Sequence, residues 1–173
     1  MSVPSHPPRV IVVMGVSGCG KSTVGRVLAE RLGWVFQEGD DLHPASNVAK
    51  MSAGVPLTDE DRWPWLDRVA AWIEGRLVAG ESGVVACSTL KRTYRERLSR
   101  RGGVVFAYLA VDRRTLEERL AARRAHYMPA ALLASQLETL EEPGTDEGVI
   151  RVDAKLSAEA AAASVLERLA TLG

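Results

Sequence analysis

Residues Gly15-Val16-Ser17-Gly18-Cys19-Gly20-Lys21-Ser22 satisfy the pattern GxxxxGK[ST], and Thr23 follows directly. Glycines at these positions let the backbone turn tightly, so that consecutive N–H groups face inward and can cradle phosphate oxygens. A helix opening at the end of such a loop adds the positive end of its dipole. Lys21 can then neutralise β- and γ-phosphates, and the Ser22 hydroxyl can coordinate Mg²⁺. The loop therefore predicts binding of Mg-ATP through Gly15, Ser17, Gly18, Cys19, Gly20, Lys21, Ser22 and Thr23. Cys19 has two readings: a thiol with a lowered pKa beside a helix N-terminus and a lysine, or a position that takes any small side chain.

Two further groups of residues suit phosphoryl transfer. Glu38-Gly39-Asp40-Asp41-Leu42-His43-Pro44 follows a short apolar run. In a parallel α/β sheet the carboxyl ends of neighbouring strands converge on one crevice. Carboxylates placed there can hold a magnesium-bound water and accept the proton of an attacking hydroxyl, and Asp40 is the candidate for the second task. Arg119, Arg123, Arg124 and His126 cluster just before Met128-Pro129. A helix ending in arginines and broken by proline suits a lid that brings guanidinium groups onto the transferring phosphate. No NKxD guanine-reading sequence occurs, and the run Val84-Val85-Ala86-Cys87-Ser88 does not end in a carboxylate, so the balance lies with small-molecule kinases.

These residues need a scaffold. Valine-rich runs alternate with longer amphipathic stretches, the pattern of a parallel sheet covered by helices. The expected strands are Val10 to Met14, Trp34 to Gln37, Gly83 to Ser88, Val104 to Leu109 and Val149 to Val152. A first helix opens near Lys21, buries Val24, Val27, Leu28 and Leu32, and stops at Gly33. A long helix spans Thr58 to Ala79, with Thr58 and Asp61 in capping-box positions. Pro64 argues for a true start nearer Asp61. Asp112 caps another helix, in which Arg113 with Glu117 and Arg114 with Glu118 pair one turn apart, and Ser157 to Leu172 closes the chain.

The 173 residues suit one domain, read as residues 9–173 after a disordered lead-in at 1–8. The 22 basic and 22 acidic side chains cancel, which argues against nucleic acid or an acidic membrane as partner. Two cysteines are too few for a disulfide framework and fit a reducing, cytoplasmic setting. No apolar run approaches the length of a membrane span.

Beyond the phosphate loop, EGDDLHP (Glu38 to Pro44), NVAKMSAGVPLTDEDRWPWL (Asn47 to Leu66), CSTLKRTYRERL (Cys87 to Leu98) and RLAARRAHYMPAALLASQLETLEEP (Arg119 to Pro143) resemble the gluconokinases of the P-loop type. The resemblance runs from about Val10 to Asp153. It implies a P-loop NTPase fold: a five-stranded parallel sheet in the order 2-3-1-4-5, helices on both faces and a short lid. It implies ATP-dependent phosphorylation of D-gluconate at its 6-hydroxyl, with Mg²⁺, by a homodimer. The carboxylate of a linear sugar acid calls for a cationic clamp, which a planar guanidinium suits. Arg62, Lys91 and Arg95 are the candidates, with His43, Lys50 and Ser88 as further contacts. Asp40 aligns with the residue beside the accepting hydroxyl, and Glu38 with support of the magnesium through water. Arg119 and Arg123 align with lid residues on phosphate, and His126 and Gln136 with substrate contacts. Lys91 and Arg95 are also compatible with a merely exposed helix, and Trp63 and Trp65 with fixing the start of the long helix. Cys19, Thr89 and Tyr127 stand where serine, alanine and phenylalanine are commoner. The alternatives are a shikimate- or nucleoside-monophosphate-type kinase and a nucleotide-binding module without transfer activity.

Overall fold

The computed structural model describes residues 6–122 and 130–172. Its sheet has five parallel strands, β1 (Val10–Met14), β2 (Val35–Glu38), β3 (Gly83–Ala86), β4 (Val104–Ala110) and β5 (Ile150–Asp153). They lie in the order β2-β3-β1-β4-β5, as expected. Val10 pairs with Gly83 on one side and Val104 on the other, so β1 is central and every residue of it is buried. That position explains its unbroken apolar run, since both faces are covered.

The pleat sends alternate side chains of β1 into two cores. Ile11 and Val13 pack with Val24 and Leu28 of α1 (Lys21–Leu32), Leu116 of α5 (Arg113–Ala122) and Val165 of α7 (Ala158–Thr171). Val10, Val12 and Met14 pack with Leu66, Val69 and Ile73 of α3 (Asp59–Val78) and Tyr94 and Leu98 of α4 (Arg92–Leu98). Two helices lie outside the sequence expectations, α2 (Ala45–Ser52) and α6 (Ala130–Thr139).

Several local expectations hold. Gly33 ends α1 in the left-handed region at φ 68°, and Asp112 accepts from the Thr115 N–H at 2.7 Å ahead of α5. Both predicted arginine–glutamate pairs on α5 form. Two expectations need correction. The long helix starts at Asp59 rather than nearer Asp61, with Pro64 inside it, because the capping box closes the first turn. The Thr58 N–H donates to Asp61 Oδ2 at 2.9 Å, and the Asp61 N–H to Thr58 Oγ1 at 3.2 Å. The third strand stops at Ala86 rather than Ser88, because the chain bends away through Thr89, a non-glycine residue at φ 37°.

One close approach positions the site. A Cβ on Gly39 would sit 2.2 Å from the Ala86 carbonyl oxygen, so only glycine lets the end of β2 lie this tightly against β3. The chain then continues as a 3-10 turn, Gly39–Leu42, carrying Asp40 toward the loop after β1.

Candidate active site

The carboxyl ends of β1, β2 and β3 open into a cavity of about 660 Å³. One end of it is the glycine loop. Gly15, Gly18 and Gly20 have φ of 144°, 84° and 100°, conformations that L side chains rarely adopt, and Lys21 opens α1 immediately after them. The Lys21 ammonium donates to the Val16 carbonyl at 3.1 Å, which keeps it folded over the loop. The Ser22 hydroxyl donates to Glu38 Oε2 in a short hydrogen bond. Ser22, Glu38 and Asp40 all line the same cavity, so hard oxygen donors meet beside the phosphate loop, a donor set that suits Mg²⁺. No cluster of three or more histidine, cysteine or acidic ligands occurs among the described residues.

Asp40 stands largely exposed at the cavity wall, with its Oδ1 3.9 Å from His43 Nε2. His43 is buried and stacks on Trp65, ring centroids 4.1 Å apart, while the Trp65 indole donates to the Gly39 carbonyl at 2.8 Å. Burial lowers the His43 pKa from its ordinary 6.5, and the neighbouring Arg62 lowers it further against the opposing pull of Asp40. The Asn47 amide donates to the Asp61 carbonyl at 2.8 Å and lies 3.2 Å from His43 Nδ1. With Nδ1 accepting from that amide, the neutral imidazole carries its proton on Nε2, the side facing Asp40. Trp65 thus supports the histidine and the 3-10 turn.

The cations expected at the acceptor end have separate fates. Lys50 pairs with Asp61 at 2.8 Å, and this contact with the Thr58 N–H pulls the Asp61 carboxyl down to about 2. Lys91 meets both oxygens of Asp59 at 2.9 and 3.0 Å. Arg95 is buried; it forms a two-pronged pair with Glu147 at 2.7 and 3.1 Å and donates to the Thr89 and Leu90 carbonyls at 3.0 and 3.3 Å. Its guanidinium holds the bend at Thr89 in shape, and none of Lys50, Lys91 or Arg95 lines the cavity. Arg62 does line it and has no acidic partner among the described residues. Ser88 and His43 also reach the wall.

Gln136 of α6 lines the cavity too, but its amide is engaged with the phosphate loop. The Ser17 N–H donates to its Oε1 at 2.6 Å, and its Nε2 donates to Ser17 Oγ at 3.1 Å. Arg119, expected over the transferring phosphate, lies elsewhere. It donates to the Cys19 carbonyl at 3.3 Å and to the Ala154 carbonyl, beside a second cavity of about 350 Å³ bounded by Thr23, Leu156 and Ala158. The reason is topological: α5 packs against the loop through Leu116 and Leu120 beside Gly18, and Arg119 reaches from it to the chain leaving β5. Cys19 is buried against this cavity. Arg123 and His126, with the rest of the expected lid at 123–129, lie outside the described residues.

Residues 10–143 match the family model described as an AAA domain. A gluconokinase of Gluconobacter oxydans is 55% identical over 148 residues, covering 84% of this chain and 82% of that protein. The thermosensitive gluconokinase of Escherichia coli is 46% identical over 145 residues, covering 82% of this chain and 77% of that one. The chain belongs to the gluconokinase family. The crystal structure of a gluconokinase from Sinorhizobium meliloti superposes with a TM-score of 0.88 at 46% identity, covering 96% of this chain and 94% of that one.

Two of the blocks that carry the gluconokinase resemblance border the large cavity. GDDLHP forms the 3-10 turn after β2, and LTDEDRWPWL the capped start of α3. Three participants escaped the sequence reading. Arg26 of α1 lines the cavity, with its guanidinium carbon 4.6 Å from the centre of the Phe36 ring. Asp59 and Glu147 are the anions that occupy Lys91 and Arg95, from positions 32 and 52 residues away in the chain. For these two the sequence offers no signal beyond charge.

Proposed function

We propose that this protein transfers the γ-phosphoryl group of ATP to the 6-hydroxyl of D-gluconate, giving 6-phospho-D-gluconate and ADP. The observation that carries the reading is the pairing of opposite ends in one cavity: a glycine loop with Lys21 at one end, and Arg62, without an acidic partner among the described residues, at the other. The gluconokinase relatives supply the substrate name, and the geometry agrees with it. A linear acid can span the cavity with its carboxylate on Arg62 and its far hydroxyl beside Asp40 and the loop.

In the proposed reaction Asp40 accepts the proton of the 6-hydroxyl while that oxygen attacks the γ-phosphorus in line. The new P–O bond forms as the bond to the bridging oxygen breaks, and ADP leaves with that electron pair. Lys21 and the loop N–H groups are already in place for the charge spreading over the phosphoryl oxygens, so little reorganisation is needed in the transition state. Ser22 and, through water, Glu38 are the residues that would hold Mg²⁺, whose chemistry is to neutralise phosphate charge. Arg119 and the second cavity are assigned to the nucleotide's base end, on the far side of the loop from Asp40. His43 and Ser88 are assigned to the hydroxyls of the sugar acid. Gln136, Lys50 and Lys91 reach them only by exchanging their present partners. The family resemblance supports a cytoplasmic homodimer, which sedimentation of the purified chain tests. No helix among the described residues is long and apolar enough to cross a membrane.

The test is ADP release in a coupled assay with Mg-ATP, comparing D-gluconate with shikimate, glucose and several nucleoside monophosphates. Release with gluconate alone is expected. Turnover of another acceptor in its place overturns the substrate assignment, and ATP binding without turnover overturns the transfer.

A further inference from the structure

Arg62 sits in a chain of contacts that ties the first turn of α3 to α4 and the residue before it. Its Nη1 donates to the Tyr94 hydroxyl at 3.1 Å. That hydroxyl in turn donates to Asp59 Oδ1 in a short hydrogen bond, and both Asp59 oxygens accept from the Lys91 ammonium. Tyr94 itself is 1% exposed and does not line the cavity. Its ring is fixed edge-on against Trp63, with centroids 5.4 Å apart. Burial, followed by the bond to Asp59, pushes the phenol up to about 12, so it stays protonated and remains a donor to Asp59.

The arrangement has a directional logic. A phenol has one proton, and here Asp59 takes it, which leaves the oxygen lone pairs for Arg62. The Asp59 carboxylate is itself charge-balanced by Lys91, so it orders the phenol without drawing Arg62 out of the cavity. One edge of the guanidinium is thereby pinned, and its remaining N–H groups stay free among the described residues.

We propose that Tyr94, oriented by Asp59, is the positioning residue that aims Arg62 at the substrate carboxylate and so sets the preference for a sugar acid over its neutral counterpart. This rests on the assignment of Arg62 as the carboxylate clamp. Tyr94→Phe keeps the buried ring and removes the one atom in question. Losing a hydrogen bond to a charged group predicts a rise of about tenfold in KM for D-gluconate. KM for ATP should stay within about twofold, and the ratio of gluconate to D-gluconamide kcat/KM should fall by a similar factor of about ten.

The deciding measurement is a double-mutant cycle of Tyr94→Phe and Arg62→Met, reading KM for gluconate, for gluconamide and for ATP. If Tyr94 acts through Arg62, the phenylalanine change raises KM for gluconate in the parent and leaves it unmoved in the Arg62→Met background. Additive effects, or equal losses for gluconate, gluconamide and ATP, overturn the proposal and reduce Tyr94 to packing. A rise with Arg62→Met but none with Tyr94→Phe overturns the positioning role and leaves the clamp intact. No rise with Arg62→Met overturns the clamp and the proposal together. Absence of gluconate turnover in the parent overturns the functional reading, and the positioning role with it.

Discussion

At the phosphate-loop end of the cavity, the wall comes from one stretch of chain between Ser17 and Thr23, the glycine loop and the first turn of α1. At the acceptor end, Asp40, His43, Arg62 and Ser88 arrive from a 3-10 turn, the residue just after it, a helix and a loop, and the contacts are side chains. The first end is a local conformation made possible by glycines at positive φ. The second exists only when β2, β3 and α3 are packed together. The difference teaches where each end is vulnerable: the loop to changes in its own residues, the acceptor end to changes in what holds its side chains.

The largest effect should fall on the phosphate end. Lys21→Ala removes a charge prepared for the transition state and should lower kcat by roughly 10²- to 10³-fold with the melting temperature little changed. A near-parental rate, measured by coupled ADP release, would sink the assignment of this loop to catalysis. Asp40→Asn should follow, losing on the order of 10²-fold in kcat, the lower range for removing a general base. Gluconate binding measured by calorimetry should persist in that variant. Unchanged turnover would remove Asp40 from the mechanism.

The acceptor end is sharpened by contrasting two arginines. Arg62→Met should raise KM for gluconate by roughly 10- to 100-fold, the value of a charge-assisted contact of about 1.5–3 kcal/mol, without lowering the melting temperature. Arg95→Met should do the reverse. It leaves the partly buried Glu147 and the carbonyls of Thr89 and Leu90 without their partner and frees the bend at Thr89, a loss of about 3–5 kcal/mol read by urea unfolding. If the two variants behave alike in both assays, the division between clamp and brace is wrong.

The smallest effect concerns His43. Burial lowers its pKa from 6.5, so below pH 6.5 the unfolded chain binds a proton that the folded chain does not yet take up. This contribution to stability is fully present above pH 6.5 and is lost as the pH falls from there to the folded value. His43→Gln should therefore show a shallower loss of unfolding free energy between pH 7.5 and 5.5 than the parent. Parallel slopes would show that the buried imidazole is not what titrates.

Much of the scaffold was readable. β1 is a run of five apolar residues because it is central, and Gly33, Thr58 with Asp61, and Asp112 announce helix ends through their own short-range chemistry. Reading failed where one local rule met another. Pro64 argued for a later start to α3, but the capping box of Thr58 and Asp61 upstream of it holds the first turn in place. It failed again for charges of one kind. Arg62, Lys91 and Arg95 look alike in the sequence, and only folding shows that Asp59 and Glu147 occupy two of them.

The amino-acid sequence by itself determined the phosphate loop and the strand pattern, because glycine conformations, apolar period and caps act over a few residues, and its motif blocks carried the family resemblance. Tertiary structure alone decided which of Arg62, Lys91 and Arg95 keeps no acidic partner among the described residues, that Gly39 must lack a side chain beneath Ala86, and that Arg119 braces the loop at Cys19. The physical reason is range. An ion pair or a close backbone approach depends on atoms that the fold brings together from distant segments, and residue type does not encode which partner will be there.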